Sequence, residues 1–76
     1  MIKMLIGDNI RRLRKERGIT QKKLGELCGI AEPNIRKYES GKQNPKLETI
    51  EKIASALGVT AFDLMGIEYF DLKSPD

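Results

Sequence analysis

The sequence predicts an all-α protein built from five short helices. Apolar residues recur every three or four positions, the period of an amphipathic helix, and no stretch alternates as a half-buried strand does. Gly18, Gly29, Gly41, Gly58 and Gly66 close the periodic segments, and Thr20 and Thr60 stand where two of them begin. At 76 residues the chain reads as one domain near the lower size limit for a self-sufficient core, so dimerisation would help it.

Each element has its own signature. Ile6, Ile10 and Leu13 lie at i, i+4 and i+7, predicting a first helix over about residues 5–17. Arg17 continues that spacing, Gly18 supplies a left-handed cap, and Arg11, Arg12 and Lys15 make the outer face basic. Thr20 is a good N-cap for a second helix, which ends at Gly29 and turns Leu24, Gly25 and Cys28 inward. A third helix over about residues 32–39 stops at Ser40-Gly41, and Lys42-Gln43-Asn44-Pro45 forms a polar loop. The fourth helix carries Leu47, Ile50, Ile53, Ala54 and Leu57 inward and ends at Gly58. Thr60 with Asp63 three residues on is a weak capping box for a short fifth helix, closed by Gly66. Residues 1–66 thus read as the domain and 67–76 as a tail. Ile67, Tyr69, Phe70 and Leu72 in that tail suit a cover for the core, a contact with a second subunit or the start of a further segment, with packing on the domain favoured.

Composition removes several classes of function. The chain has no His and one Cys, which excludes disulfide frameworks, Cys/His zinc sites and His-based catalytic dyads. No metal or cofactor is expected, and Cys28 reads as a small core residue. Asp8, Glu26, Glu48 and Glu51 are scattered over polar faces with no partner base, so no enzyme is expected. The opening Met-Ile-Lys-Met-Leu-Ile is too short and interrupted for a signal peptide, and no run is long enough to span a bilayer. A cytoplasmic protein without membrane contact is expected. The net charge of +3 hides an asymmetry: residues 1–46 hold 12 Lys/Arg against 5 Asp/Glu, and residues 47–76 hold 2 against 6. A basic part beside an acidic one suits one surface for a polyanion and another kept away from it.

Residues 20–39 carry the functional signal. Two short helices meet at Gly29, with small or apolar residues where they must touch. Gly25 is small enough for close crossing despite its cost of about 1 kcal/mol in helix propensity. At 100° per residue, Ala31, Ile35 and Tyr38 point inward together. The opposite face then presents Pro33, Arg36, Lys37 and Ser40, flanked by Glu32 and Asn34. None of these is a large hydrophobe; they are short, hydrogen-bonding or cationic, as reading a DNA major groove requires. This is the pattern of a helix-turn-helix, whose second helix enters that groove.

An ordered series of motifs makes the pattern specific. It runs Ile10-Arg11-Arg12-Leu13-Arg14, Arg17-Gly18-Ile19-Thr20-Gln21, Leu24-Gly25-Glu26-Leu27-Cys28-Gly29-Ile30, Ile35-Arg36-Lys37-Tyr38-Glu39-Ser40-Gly41-Lys42, Asn44-Pro45 and Ala54-Ser55-Ala56-Leu57-Gly58-Val59. In these residues the chain resembles the lambda-repressor/Cro-type (XRE) helix-turn-helix domains over about residues 5–66. The resemblance implies a compact five-helix fold that binds double-stranded DNA as a homodimer. It implies that Gln21 clamps a phosphate, which its place at a helix N-terminus also favours. It places Glu32, Pro33 and Lys37 where bases are read, with Asn34 and Arg36 near enough to contribute. It places Ser40, Lys42 and Asn44 where phosphates are gripped, and pairs Arg14 with Glu39 as an ion pair between the first and third helices. Arg11, Arg12, Lys15, Lys22 and Lys23 read either as further phosphate contacts or as solvated surface, and in both cases they add long-range attraction to DNA. Dimerisation in such domains uses the loop and helix after the fourth helix, which implicates Val59, Phe62, Leu64 and Met65, joined by Tyr69 and Phe70.

Two positions depart from that pattern. Ala31 stands where a Ser or Thr N-cap is common, which forgoes about 1 kcal/mol; Pro33 in the first helical turn partly offsets it. Glu32 is an acid facing a phosphate-lined groove. It either accepts a hydrogen bond from cytosine N4 or complements the positive helix N-terminus. The expected function is a sequence-specific transcriptional regulator, a repressor on an inverted-repeat operator. The alternatives are a protein-interaction adaptor on the same scaffold, or the DNA-binding antitoxin or controller of a two-gene system.

Overall fold

The computed structural model describes residues 6–66. Five helices follow one another: α1 (Ile6–Glu16), α2 (Gln21–Cys28), α3 (Glu32–Ser40), α4 (Leu47–Leu57) and α5 (Ala61–Met65). No strand occurs among the described residues.

Local chemistry sets the helix ends. The Thr20 hydroxyl accepts the Lys23 N–H at 3.0 Å, and Gly29 closes α2 in the left-handed region at φ 72°. The capping box of α5 is complete: Asp63 N–H donates to the Thr60 hydroxyl, and Thr60 N–H donates back to the Asp63 carboxylate. Gly18, Gly41 and Gly58 also adopt positive φ after the helices they end.

One core joins the elements. Ile6, Ile10 and Leu13 of α1 meet Leu24, Ile35, Ile53, Ala54, Leu57 and Leu64, with Ile50 completing the set. Each fully buried Ile or Leu contributes roughly 1.5–3 kcal/mol. α1 packs on α3, α4 and α5, and α2 packs on α3 and α4. The third helix is therefore held from behind by both its predecessors, which leaves its other face to solvent.

Three residues lie elsewhere than expected. Leu47 is 59% exposed. It lies about 70° from the centre of the stripe formed by Ile50, Ile53, Ala54 and Leu57 at 100° per residue, and the buried residue at this entrance is Pro45. Ala31 is exposed, because it is the extended N-cap of α3 and helical angular counting does not reach it. Leu64 is fully buried in the core, so it cannot lie on a subunit interface. Tyr69 and Phe70, and with them the expectation about the tail, lie outside the described residues.

Close backbone approach explains two glycines. A Cβ on Gly25 would collide with the carbonyl of Ile30, so the constraint comes from the turn rather than from the crossing of the helices. A Cβ on Gly7 would strike the carbonyls of Tyr38 and Glu39, where α1 crosses the end of α3. The sequence reading did not single out Gly7.

Candidate nucleic-acid interface

The site begins with what anchors α3. Arg14 and Glu39 form a two-point ion pair, Nε to Oε2 at 2.6 Å and Nη2 to Oε1 at 3.0 Å. Both residues are buried, and the third guanidinium nitrogen donates to the Ile19 carbonyl at 2.9 Å. The Glu39 hydrogen bonds push the Arg14 guanidinium further above its ordinary value, against the effect of burial. A fork of this kind fixes orientation as well as distance. Gln21 joins the cluster, its Nε2 donating to Glu39 Oε1 at 3.1 Å. The amide at the start of α2 is thus tied to the same carboxylate that ties α1 to α3. The first-turn N–H groups of α2 have no intrahelical acceptor, which suits the helix end to an anion.

The outer face of α3 carries the residues expected to read bases. Pro33, Arg36, Lys37 and Ser40, spaced three and four apart, line one shallow open depression together with Lys42 from the following loop. Pro33, Asn34, Arg36 and Lys37 are exposed. Lys37 and Lys42 have no acidic partner among the described residues, so their charge faces solvent. Asn34 lies beside the depression rather than in its lining. Glu32 pairs with Arg36, Oε2 to Nη2 at 3.3 Å, one turn along the helix. The sequence reading had not joined those two, although their i, i+4 spacing was the available signal.

The loop after α3 is set by backbone bonds. The Lys37 carbonyl accepts from the N–H groups of Lys42 and Gln43 at 3.0 and 3.4 Å. The Ser40 hydroxyl donates to the same carbonyl at 3.1 Å. Ser40 has one O–H, so gripping a phosphate requires it to turn away from that carbonyl. The Lys37 carbonyl keeps its backbone donors when it does. Asn44, Lys22 and Arg11 are exposed on three different segments and do not join the depression.

Two further ties escaped the sequence reading. Arg17 Nε donates to the Leu57 carbonyl at 2.7 Å, and Asn9 Nδ2 donates to the Leu64 carbonyl at 2.8 Å. Both carbonyls lie at helix C-termini, where intrahelical donors run out. Cys28 is half-buried beside α4, and burial pushes its thiol above its ordinary pKa, with Lys52 acting against the shift. That favours the neutral, unreactive form.

A five-helix domain with an anchored second helix of a helix-turn-helix, cationic on its free face, defines a class of DNA-binding scaffold. A family model described as helix-turn-helix matches residues 10–64, and the chain belongs to that family, in its lambda-repressor/Cro-type (XRE) branch. The chain is 37% identical over 68 residues to the HTH-type transcriptional regulator DdrOP3 of Deinococcus deserti, an alignment covering 88% of this chain and 53% of the relative. It therefore spans about half the length of that relative. Among solved structures it resembles the hypothetical transcription factor NHTF from Neisseria, with a TM-score of 0.80 and 33% identity, covering 92% of this chain and 80% of that one. It also resembles the P22 c2 repressor solved in complex with a synthetic operator, with a TM-score of 0.77 and 28% identity over 83% of this chain and 96% of that one. No helix among the described residues is long and apolar enough to cross a membrane.

Proposed function

We propose that this chain binds double-stranded DNA in a sequence-specific manner and represses transcription. The observation that carries the reading is the free face of α3. Pro33, Arg36, Lys37 and Ser40 form one exposed concave surface with Lys42, on a helix locked from behind by the Arg14–Glu39 pair. In the major groove this face presents Pro33, Asn34, Arg36 and Lys37 to base edges, with Glu32 paired to Arg36 beside them. Gln21 and Lys22 at the start of α2, and Ser40, Lys42 and Asn44 on the other side, take the flanking phosphates. Arg11 strengthens attraction from farther away. The resemblance to an operator-bound repressor supports the same docking.

The protein acts as a two-fold dimer on an inverted repeat with half-sites about 34 Å apart. At the α4–α5 end Phe62 is exposed and Val59 and Met65 are half-buried against the core, and these three are assigned to that contact, whereas Leu64 is in the core. The role places the protein in the cytoplasm, with DNA as partner. Selection from randomised duplexes, followed by titration of the winner and a scrambled duplex at two salt concentrations, tests the proposal. Enrichment of an inverted repeat, bound two chains per duplex with steep salt dependence, is expected. Absence of enrichment, with only weak salt-driven binding, would overturn it and favour the adaptor.

A further inference from the structure

We propose that Glu32 is a positioning residue for Arg36, and that Arg36 so held reads a guanine in each half-site. The proposal rests on the DNA-binding reading above. Its starting point is an oddity of charge: Glu32 is an acid on the face that meets phosphates. Standing alone it would be repelled there. In the structure its Oε2 lies 3.3 Å from Arg36 Nη2, so the two form a neutral couple one helical turn long.

That couple constrains what Arg36 can do. A guanidinium has five N–H donors in a planar fork, and one edge held by a carboxylate leaves other donors for a second partner. The Arg36 side chain is 56% exposed and lines the depression with Pro33, Lys37, Ser40 and Lys42. Two features select the base. The groove edge of guanine offers two acceptors, O6 and N7, which match a fork of donors. Adenine places an N6 donor there and cytosine an N4 donor, and either would face N–H with N–H. Pro33 adds no side-chain donor or acceptor, and Lys37 adds donors only, so nothing else lining the depression from α3 before Ser40 offers an acceptor.

The Glu32–Arg36 couple is exposed, and pairs of this kind contribute little to folding stability in water. Its effect lies in the groove, where exclusion of water strengthens the pair and lets the carboxylate hold the arginine's rotamer against the base edge. Glu32→Gln removes the first-turn acid of α3, so the chain is expected to stay folded with only a small fall in melting temperature. It should lower the preference for the guanine about threefold while raising affinity for a scrambled duplex, because one negative charge near the phosphates is gone. A guanine preference that falls while affinity for the scrambled duplex rises is not a result that loss of structure can produce.

The test is competition binding of the wild-type chain, Glu32→Gln, Arg36→Ala and the double variant to the selected duplex and to versions carrying A·T at each half-site G·C. Arg36→Ala should lose about tenfold in discrimination at one G·C pair, as loss of a bidentate contact does. Glu32→Gln should lower discrimination at that same pair, and should do nothing further once Arg36 is alanine. A guanine preference that survives Arg36→Ala would overturn the proposal. So would a Glu32→Gln effect that is equal in both backgrounds or falls on a different base pair, because Glu32 would then read a base itself. Either result leaves the DNA-binding reading standing. Selection that enriches no duplex would overturn both.

Discussion

Arg14 has almost no contact with solvent, yet every nitrogen of its guanidinium is used, Nε and Nη2 by Glu39 along one edge and Nη1 by the Ile19 carbonyl. Breaking such a pair from one side leaves a charge buried and unpaired, at a cost of about 3–5 kcal/mol. That is a large share of the stability of a domain this small. Arg14→Met or Glu39→Met alone is therefore expected to destabilise severely, and the double variant far less than the two losses combined. Urea denaturation of the four proteins checks this, and additive losses would show that the residues do not act as a pair. The resemblance implies this pair. The bonds from Arg17 to Leu57 and from Asn9 to Leu64 left no such trace, because they end on carbonyls 40 and 55 residues away. Periodicity records which side a residue faces, not which distant carbonyl its tip reaches.

Elements in this protein are joined where backbones touch. Gly7→Ala would gain about 1 kcal/mol of helix propensity. It would also drive a methyl group into the carbonyls of Tyr38 and Glu39. Those belong to a packed helix and cannot swing aside, so a net loss of about 1–3 kcal/mol is expected in thermal melts. A variant as stable as wild type would mean that α1 and α3 slide apart freely. Ala31→Ser should act in the opposite direction. Residue 31 has the extended conformation of an N-cap, φ −62° and ψ 140°, without a side-chain cap bond. A hydroxyl there is expected to add about 1 kcal/mol in the same melts. At α5, the Thr60 backbone and hydroxyl donors hold the Asp63 carboxyl below its ordinary pKa. A carboxyl depressed on folding stabilises the fold above its unfolded value and loses that contribution as pH falls through the folded one. The difference in melting temperature between wild type and Asp63→Asn should be largest above about pH 4 and vanish in stronger acid. A difference that does not change with pH would exclude the capping box as its source.

The whole molecule separates a basic part from an acidic one, 12 Lys/Arg against 5 Asp/Glu in residues 1–46 and 2 against 6 beyond. The fold turns the basic part into a surface, because α1 and α2 support α3 from behind and leave Lys37 and Lys42 facing outward. Base contacts and phosphate contacts should then separate in binding. Lys37→Ala is expected to relax base preference, whereas Gln21→Ala should weaken selected and scrambled duplexes alike. Titrations against both duplexes decide it, and equal losses for the two variants would remove Lys37 from the base-reading set. Gln21 adds a coupling between scales: its amide is held by Glu39, so the phosphate grip proposed for it depends on the core ion pair.

Much of this was legible from the chain alone. Five helices, their glycine stops and the two threonine caps follow from local chemistry, since a cap acts within three residues of itself and a 3.6-residue period repeats along a single element. The free face of α3 was legible for the same reason: Pro33, Arg36, Lys37 and Ser40 fall on one side of one helix. What lay beyond the sequence involved two elements at once. Leu64 is an apolar residue like Phe62 on the same short helix, and only packing against α1 and α4 decided that the first is core and the second exposed. Gly7 needed the position of α3 to acquire its meaning, and Gln21 needed Glu39, 18 residues away. The sequence by itself determined which segments are helical and, for the longer helices α1 to α4, which broad face turns outward, because those are properties of neighbours in the chain. Tertiary structure decided which side chains and carbonyls meet across segments, because those distances depend on how rigid helices stack and not on their order.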